Sequence, residues 1–447
     1  MDRDFLGGVV EGFYGQPWTH TQRFELFRQM AAWGLNTYFY SPKDDLKHRA
    51  IWRECYSDRE LVGLAELVNE CGKLGLRFIY GLSPGLDIRF ADDSELAHIQ
   101  ARFDQLIHIG VRDFALLFDD LPGEMHGDDR NAFASVAAAQ ASVTNLAFTW
   151  LRAQFPDSRL LFCPTPYCDR MVGWDLGGAN YLDTVGRLLD VEIDFLWTGP
   201  EIISETIPVE SIHKLAERIG RKPVIWDNLH ANDYDMRRLY CGPYSGRPPE
   251  LLDVVQGILA NPNNEFWINY VPLMTFAHFM REPQSYDPRQ AYLASVKEWA
   301  GLHETVNAPI LEADIHLLAD CYYLPHEHGE GGQRLQQLIE RLIQEPSDTW
   351  KQQHQEFVGL HCRIQRIFES LTRLKNRELF YAWSRRVWEL KEELDLIGDF
   401  LEGKKSGKLS ASGLASQTHL RKTYRGGLVA ELQRLLVMDA DGRIRPA

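Results

Sequence analysis

The stretch Asp113-Phe-Ala-Leu-Leu-Phe-Asp-Asp120 decides the fold that we predict for this chain. Its apolar run from Phe114 to Phe118 is followed at once by two carboxylates, and Leu121-Pro-Gly123 then interrupts the pattern. A short apolar run that ends at Pro-Gly is typical of a buried strand rather than a helix. Because side chains alternate along a strand, the two carboxylates can share one cavity only if the strand ends between them. Taken alone, such a pair more often caps a helix or lies in a solvated loop.

Seven further runs of β-forming residues accompany this stretch, and helical segments separate them. In chain order the eight runs are 7–15, 36–42, 77–84, 113–120, 159–165, 195–199, 223–228 and 265–271. The predicted helices of this part include 19–33, 58–74, 93–108 and 130–155. The alternation predicts an α/β fold, a (β/α)8 TIM barrel, whose catalytic groups lie at the carboxyl ends of the strands. Because most runs end in polar residues or glycine, such as Glu11, Asp227 and Asn269, we expect these ends to meet at one mouth.

The sequence changes character after about Pro309. Residues 309–447 carry apolar residues at helical spacing, as in 335–343 and 387–394, and few strand signals. We predict an all-α helical bundle of four or five helices, the stalk, after a catalytic barrel that covers residues 1–308. The glycine- and serine-rich segments 403–408 and 410–413 predict a mobile loop between the last helices.

Composition narrows the possible functions and the compartment. The formal net charge of −15 over 447 residues argues against a nucleic-acid partner, which requires a basic face. Seven scattered cysteines without a CxxC pair predict a reducing compartment and no structural zinc. The first residues do not resemble a signal peptide, and no run approaches the ~20 apolar residues of a membrane span. We therefore expect a cytoplasmic protein with no membrane partner.

Two neighbouring carboxylates at the end of a strand suggest glycoside hydrolysis of an uncommon kind. The usual catalytic pairs come from different strands and place their carboxyl groups ~5 or ~6.5–9.5 Å apart. Adjacent residues of one strand fit the substrate-assisted scheme better. In that scheme the 2-acetamido group of the sugar is the nucleophile, one carboxylate orients it, and the other protonates the leaving oxygen.

Motifs along the whole chain point to one family. They are Gly8-Val-Val-Glu-Gly-Phe-Tyr-Gly15, Tyr40-Ser-Pro-Lys-Asp-Asp45, Phe118-Asp-Asp120, Phe162-Cys-Pro-Thr165 with Tyr167, Trp197-Thr-Gly-Pro200, Trp226-Asp-Asn-Leu-His-Ala-Asn-Asp-Tyr234 and Asn261-Pro-Asn263. With these motifs the chain resembles glycoside hydrolase family 84, the O-GlcNAcase family. Leu324-Pro-His-Glu-His-Gly329 and Arg425-Gly-Gly-Leu428 resemble the stalk domain of that family.

The resemblance implies a role for each matching residue. Asp119 is similar to the residue that orients and polarises the acetamido N–H, Asp120 to the general acid/base, and Tyr167 to the tyrosine that holds the acetamido carbonyl. The residues that the resemblance assigns to sugar binding are Gly12, Lys43, Trp226, Asn228, Asp233 and Asn261. It implies no cofactor and no metal. It also implies a homodimer formed through the helical domain.

The expected activity is a retaining exo-β-N-acetylglucosaminidase that removes O-linked GlcNAc from serine or threonine of proteins through an oxazoline. Two alternatives stay open: a β-hexosaminidase for other GlcNAc-containing glycans, and a non-catalytic glycan-binding protein. Asp44-Asp45 is a rival acid pair, but we expect Lys43 and Lys47 to neutralise it. His326-Glu-His328 could suggest a metal site, although loop capping is the more common role of such residues.

Overall fold

The computed structural model describes residues 5–344, 348–406, 426–438 and 444–447. These residues form two compact units that alternate along the chain. The first unit comprises the residues up to Ala231 together with Tyr244–Asn264 and Phe276–Tyr286. The second unit comprises Asn232–Pro243, Glu265–Thr275 and the part from Asp287 onward. A single domain boundary after residue 308 stays a prediction.

The first unit contains a closed barrel of eight parallel strands in chain order, which confirms the predicted (β/α)8 class. The strands are β1 (Leu6–Glu11), β2 (Thr37–Tyr40), β3 (Arg77–Leu82), β4 (Asp113–Leu117), β5 (Leu160–Cys163), β6 (Asp194–Trp197), β7 (Val224–Asp227) and β8 (Gly257–Ala260). The barrel closes where Leu6 of β1 pairs with Gly257 of β8. All eight carboxyl ends therefore lie at the same end of the barrel.

The eighth strand was placed wrongly by the sequence pattern. The predicted run 265–271 is a 3₁₀ turn, Phe266–Asn269, that leads directly into a helix. The strand is instead the four-residue run Gly257-Ile-Leu-Ala260. Short apolar runs look alike in strands and buried helices, and the aromatic residues of 265–271 favoured the wrong choice. The polar residue that follows the last strand is therefore Asn261 and not Asn269.

Eleven helices that the structure describes follow or connect these strands. They are α1 (His20–Trp33), α2 (Asp58–Lys73), α3 (Asp93–His108), α4 (Gly127–Ala132), α5 (Val136–Gln154), α6 (Asp169–Gly173), α7 (Tyr181–Leu188), α8 (Val209–Ile219), α9 (Leu251–Val254), α10 (Tyr270–Arg281) and α11 (Pro288–Ala300). The predicted Thr19 cap is present, since its side chain accepts from the Gln22 N–H. The single helix predicted over 130–155 is two helices, because Ser135 caps a new start by accepting from the Ala138 N–H.

Alternate residues of the strands pack into one apolar cluster. Ala115 and Leu117 of β4 belong to it, together with Val10 of β1 and Trp226 of β7. The intervening residues pack elsewhere: Phe114, for example, stacks on a phenylalanine of α3 with ring centroids 4.2 Å apart. Continued past the end of β4, this alternation carries Asp119 in the same direction as Ala115 and Leu117.

Two carboxylates at strand ends, Glu11 and Asp227, alternate with members of that cluster and therefore point away from it. Both form buried ion pairs. Glu11 accepts from Arg23 at 2.7 and 2.8 Å, and Asp227 accepts from Arg247 at 2.6 and 2.8 Å. The Tyr244 hydroxyl also donates to Asp227, at 2.8 Å. The polar strand ends do lie at one end of the barrel, but the side chains of Glu11 and Asp227 do not face the mouth and brace the barrel from outside its apolar cluster.

The second unit is largely helical, as predicted. From residue 309 on, its described helices are α12 (Glu312–Cys321), α13 (Glu330–Ile343), α14 (Trp350–Leu371), α15 (Arg377–Ser406) and α16 (Leu428–Gln433). A small antiparallel pair, β9 (Leu436–Met438) and β10 (Ile444–Pro446), was not predicted. Residues 403–406 of the predicted loop belong to α15, whereas 407–413 and Arg425 lie outside the described residues. None of the helices that the structure describes has the length and apolarity needed to cross a membrane.

Candidate active site

Asp119 lies just past the end of β4 and is buried against two cations. Its Oδ2 accepts from the Lys43 Nζ at 2.5 Å, and a guanidinium nitrogen of Arg49 lies 4.0 Å from the same oxygen. Lys43 and Arg49 come from the segment after β2, and both are buried themselves. A buried carboxylate is tolerated when it is paired in this way.

The surroundings of Asp119 favour its ionised form. Burial alone raises the pKa of the carboxyl, but Lys43 and Arg49 outweigh that effect and hold the pKa below its usual range. The nearby His48 stays neutral, because burial and Lys43 lower the pKa of its imidazole to about 4. While Oδ2 is taken by Lys43, the buried Oδ1 of Asp119 has no hydrogen-bond partner among the described residues. That oxygen is a ready acceptor for a ligand N–H.

Asp120 follows in a backbone conformation that is rare for a residue with a side chain. Its φ is +55°, in the left-handed region that aspartate tolerates better than most residues. This turn breaks the strand alternation and brings the carboxylate to two phenols. Tyr14 donates to Oδ2 at 2.7 Å and Tyr167 donates to Oδ1 at 2.8 Å. Burial, and then the charge of Asp120, raise the pKa of both phenols, which therefore keep their protons.

Trp226 forms a flat wall against Gly12 at the ends of β7 and β1. A Cβ at position 12 would lie 2.0 Å from the indole ring, so only glycine fits at this close approach. Phe39 packs edge-on against the indole with ring centroids 5.6 Å apart. The Lys43 ammonium lies 5.6 Å from the centroid of the same ring. The cation that holds Asp119 is thereby also in contact range of Trp226.

Two asparagines connect this wall by a chain of hydrogen bonds. The Asn228 Oδ1 accepts from the Trp226 Nε1 at 3.0 Å and from the Asn261 Nδ2 at 2.9 Å. The Gly12 N–H donates in turn to the Asn261 Oδ1 at 3.3 Å. Asn228 also donates to the Ile202 carbonyl at 2.8 Å. Most of the amide capacity of Asn228 is thus used to position its neighbours.

The structure brings together most of the residues that the sequence proposed. Direct contacts join Lys43, Asp119, Asp120 and Tyr167, and the second linked group consists of Gly12, Trp226, Asn228 and Asn261. Asp233 lies in the segment Asn232–Pro243, which belongs to the second compact unit. The catalytic and binding roles of all nine residues stay predictions.

Sequence reasoning missed Tyr14 and Arg49. Tyr14 lies within the first glycine-rich motif, so its place after a strand end was a usable signal. Arg49 carried no such signal, because it lies six residues after Lys43 in an irregular segment. In the structure its guanidinium approaches Asp119, donates to the Asp120 carbonyl at 3.4 Å, and lies 5.8 Å from the centroid of the Tyr14 ring.

The rival candidates have structural partners. The expected neutralisation of Asp44-Asp45 by two lysines is wrong, because Lys43 pairs with Asp119 and Lys47 donates to Glu60 at 2.7 Å. Asp45 accepts instead from the hydroxyls of Tyr40 and Tyr56, each at 2.7 Å. His328 pairs with Glu431 at 2.7 Å. In the described ranges, no three His, Cys, Asp or Glu side chains are grouped as metal ligands.

Comparisons of sequence and structure match the chain to known proteins. Residues 7–312 match the family model of the beta-N-acetylglucosaminidases. Over 275 residues, or 62% of this chain, the sequence is 49% identical to "Protein O-GlcNAcase" of Mus musculus and equally to that of Rattus norvegicus. The chain spans 30% of the length of each of these two relatives.

A solved structure extends the similarity beyond the barrel. The chain superposes with a TM-score of 0.77 on an O-GlcNAc hydrolase of Thermobaculum terrenum, solved as an aspartate-to-asparagine variant. The two share 28% sequence identity, and the match covers 89% of this chain and 83% of the other.

The pKa of Asp119 gives a direct test of its surroundings. We expect Lys43→Met to raise this pKa strongly and Arg49→Gln to raise it less, because Lys43 is the nearer cation. Carbon-13 NMR titration of the Asp119 carboxyl measures the change. Because pairing depresses the folded pKa, the ionised carboxylate stabilises the fold above its unfolded pKa. That stability is lost as the pH falls through the folded pKa.

Arg53→Gln is the matched control, since Arg53 pairs with Asp87 and Glu95 and not with Asp119. This substitution should leave the pKa of Asp119 unchanged. An Asp119 pKa that is the same in the wild type and in Lys43→Met would contradict the electrostatic account.

Proposed function

The chain belongs to the beta-N-acetylglucosaminidase family, and we propose that it is a retaining exo-β-N-acetylglucosaminidase that removes O-linked β-GlcNAc from serine and threonine of proteins. The observation that carries the proposal is the pair Asp119 and Asp120. These neighbours differ sharply in environment: Asp119 is buried on Lys43 with one oxygen unpaired, and Asp120 is exposed and held by two phenols. Different environments suit two carboxylates to different chemical roles.

In the first step the substrate supplies its own nucleophile. The acetamido carbonyl oxygen attacks C1, the bond from C1 to the leaving oxygen breaks, and Asp120 gives its proton to that oxygen. Positive charge develops on the acetamido nitrogen as the oxazoline ring closes. The unpaired Oδ1 of Asp119 accepts the N–H and stabilises this charge, more strongly in the transition state than in the ground state.

In the second step Asp120 acts as a base. It removes a proton from water while the water oxygen attacks C1, the oxazoline opens, and GlcNAc leaves with its configuration retained. Tyr167, whose hydroxyl donates to Asp120, has the acetamido carbonyl as its alternative acceptor in this mechanism. When the Tyr167 hydroxyl donates to the bound acetamido carbonyl instead of to Asp120, substrate binding would release the Asp120 carboxyl.

The sugar itself is held by polar groups on a preformed wall. Trp226 bounds the acetyl pocket, and Lys43 and the Gly12 carbonyl contact sugar hydroxyls. Asn228, Asn261 and Asp233 complete the binding set in this proposal. Because the two asparagines already hold Trp226 and the Gly12 N–H in place, the wall requires little reorganisation when the sugar binds.

The protein substrate is a proposal drawn from the names of the relatives. Both mammalian relatives are called protein O-GlcNAcases, and the chain spans 30% of their length. We place the protein in the cytoplasm, where O-linked GlcNAc on serine or threonine would be met, because all seven cysteines are free thiols. The mechanism involves no cofactor, metal, nucleic acid or membrane.

Two alternatives are separated by substrate choice. A β-hexosaminidase for other glycans would share the sugar contacts and differ only in what it accepts beyond the scissile oxygen. A glycan-binding protein would bind GlcNAc without turnover. Comparison of kcat/KM for an O-GlcNAc peptide and for chitobiose decides between the first two, and any turnover excludes the third.

The two aspartates should respond differently to the leaving group. Asp120→Asn removes the proton donor, so it should cost less than about tenfold on an aryl glycoside of a very acidic phenol and about 10²–10⁴-fold on a poor leaving group. Asp119→Asn acts on the nucleophile, so it should cost about 10²–10³-fold on both. The measurement is kcat/KM across a series of phenols.

The slope against phenol pKa is the discriminating quantity. It should steepen in Asp120→Asn and stay close to the wild-type slope in Asp119→Asn. Identical slopes in the two variants would refute the assignment of acid and orienting residue.

We also propose that the helical part forms a homodimer. Tyr381 and Trp388, seven residues apart on one face of α15, are 64% and 46% exposed. Large apolar side chains grouped on one surface commonly mark a protein interface. A symmetric dimer would cover the same surface on both subunits.

Light scattering at micromolar concentration should give twice the chain mass, and Tyr381→Glu with Trp388→Glu should reduce it to the monomer mass. Val62→Glu, on the exposed face of α2, is the control and should leave the dimer intact. A monomer mass for the wild type would exclude the dimer.

A further inference from the structure

A cavity adjoins the segment that follows Asp120 in the first unit. Its volume is about 190 Å³, and it is lined by Gly85, Leu86, Ile88 and Phe90, by 121–126, by parts of α4 and α5 and by Thr165. Lys43, Asp119 and Trp226 are not among the lining residues, so the cavity is distinct from the site described above.

Part of its wall is apolar. Leu86, Ile88, Phe90, Met125 and Val136 line it, and Leu86 is half exposed at the surface. Such a wall suits the methylene groups of a long side chain, which bury their stem on apolar surface while the charged head reaches a polar partner.

The polar partner is Asp129, which is only 1% exposed. One oxygen, Oδ1, accepts from the Ala91 N–H at 2.7 Å. The other, Oδ2, is buried and has no hydrogen-bond partner among the described residues. An unpaired buried carboxylate oxygen is costly, and a cationic donor in the cavity would satisfy it.

The charged side chains that line the cavity are acidic. Its acidic lining residues are Glu124 and Asp129, its one other titratable group is His126, and the lining that the structure describes includes neither lysine nor arginine. The neighbouring Arg130 is occupied at the Met125 carbonyl, to which it donates at 3.1 Å. The cavity therefore favours a cation over an anion.

The cavity is also connected to the catalytic segment. Leu121, the residue directly after Asp120, forms part of its wall. Thr165 lines it as well and donates to the Phe118 carbonyl at 2.8 Å, while Gln140 donates to Thr165 at 2.9 Å. A group bound in the cavity therefore lies beside Leu121, the residue directly after Asp120, which is the proposed proton donor.

We propose that this cavity binds a lysine or arginine side chain of the peptide that carries the sugar, with its cation on the Asp129 Oδ2. This inference rests on the proposed function, because only a peptide leaving group brings such a side chain to the site. It makes Asp129 a residue that selects among substrates and gives it no part in the bond-breaking step.

Heptapeptides with one O-GlcNAc-serine test the proposal. Each flanking position carries, in turn, lysine or norleucine, which lacks the ammonium group. We expect kcat/KM to be about tenfold higher for lysine than for norleucine at one position, as a charge-assisted hydrogen bond in a buried site predicts. Hydrolysis of an aryl GlcNAc glycoside by the same samples tests the proposed function separately.

Two variants act on the cavity by different routes. Asp129→Asn keeps an oxygen for the Ala91 N–H and removes the charge, so the lysine-to-norleucine ratio should fall to about one. Leu86→Lys places a tethered ammonium at the rim, where it competes for Asp129, and the ratio should fall in the same way. Asp128→Asn is the matched control: it removes an exposed carboxylate one residue away, outside the lining, and the ratio should persist.

A ratio of about one at every position in the wild type would overturn the proposal, as would a preference that survives in Asp129→Asn. If the aryl glycoside were hydrolysed and the ratio were one, this inference alone would fall. If the wild type did not hydrolyse the aryl glycoside, the proposed function and the inference would fall together.

Discussion

The contact between Lys43 and Asp119 is the interaction on which the rest of the site depends. A carboxylate buried at the end of β4 would be neutral without a nearby cation, and Lys43 keeps it ionised. The lysine binds one oxygen of the Asp119 carboxylate and leaves the other unpaired. The carboxylate is thus kept ionised, and its Oδ1 is the oxygen that a ligand can reach. The lysine is constrained in turn by Trp226, against which only a glycine fits at position 12. His48 beside it stays uncharged, so Lys43 and Arg49 are the cations that set the field at Asp119.

The second constraint is the strand alternation, which the chain breaks at one residue. A regular strand would send Asp119 and Asp120 in opposite directions. The left-handed turn at Asp120 places its carboxylate between the hydroxyls of Tyr14 and Tyr167. A regular strand would not bring the carboxylate to these two groups. Strain of this kind persists where the surrounding contacts hold it, and two hydroxyl donors and Arg49 do so here. Glu11 and Asp227 illustrate the unbroken alternation: they face the other way and stabilise the barrel.

The sequence was sufficient for the barrel, and it proposed most of the residues that the structure brings together at the strand ends; the failures have physical causes. Strands that end in distinctive polar motifs, such as β4 and β7, could be recognised because the motif and the apolar run coincide. β8 was missed because four apolar residues carry less signal than the aromatic run that follows, although the motif at Asn261, which directly follows β8, was singled out from the sequence. The break between α4 and α5 depends on one serine cap within a helix-forming run. Arg49 could not be found from sequence, because its role arises only when an irregular segment folds over Asp119. The unpaired oxygens of Asp119 and Asp129 are likewise visible only as three-dimensional facts.

The central claim is that the substrate, and not an enzyme carboxylate, attacks C1. Successive fluorines on the acetyl group withdraw electrons from the carbonyl oxygen while they change its size little. With aryl glycosides of one phenol, kcat/KM should fall steeply from the acetyl through the mono- and difluoroacetyl to the trifluoroacetyl substrate, and the configuration at C1 should be retained. A rate that is almost indifferent to the fluorines, or a glycosyl-aspartate trapped and identified by mass spectrometry, would contradict the account.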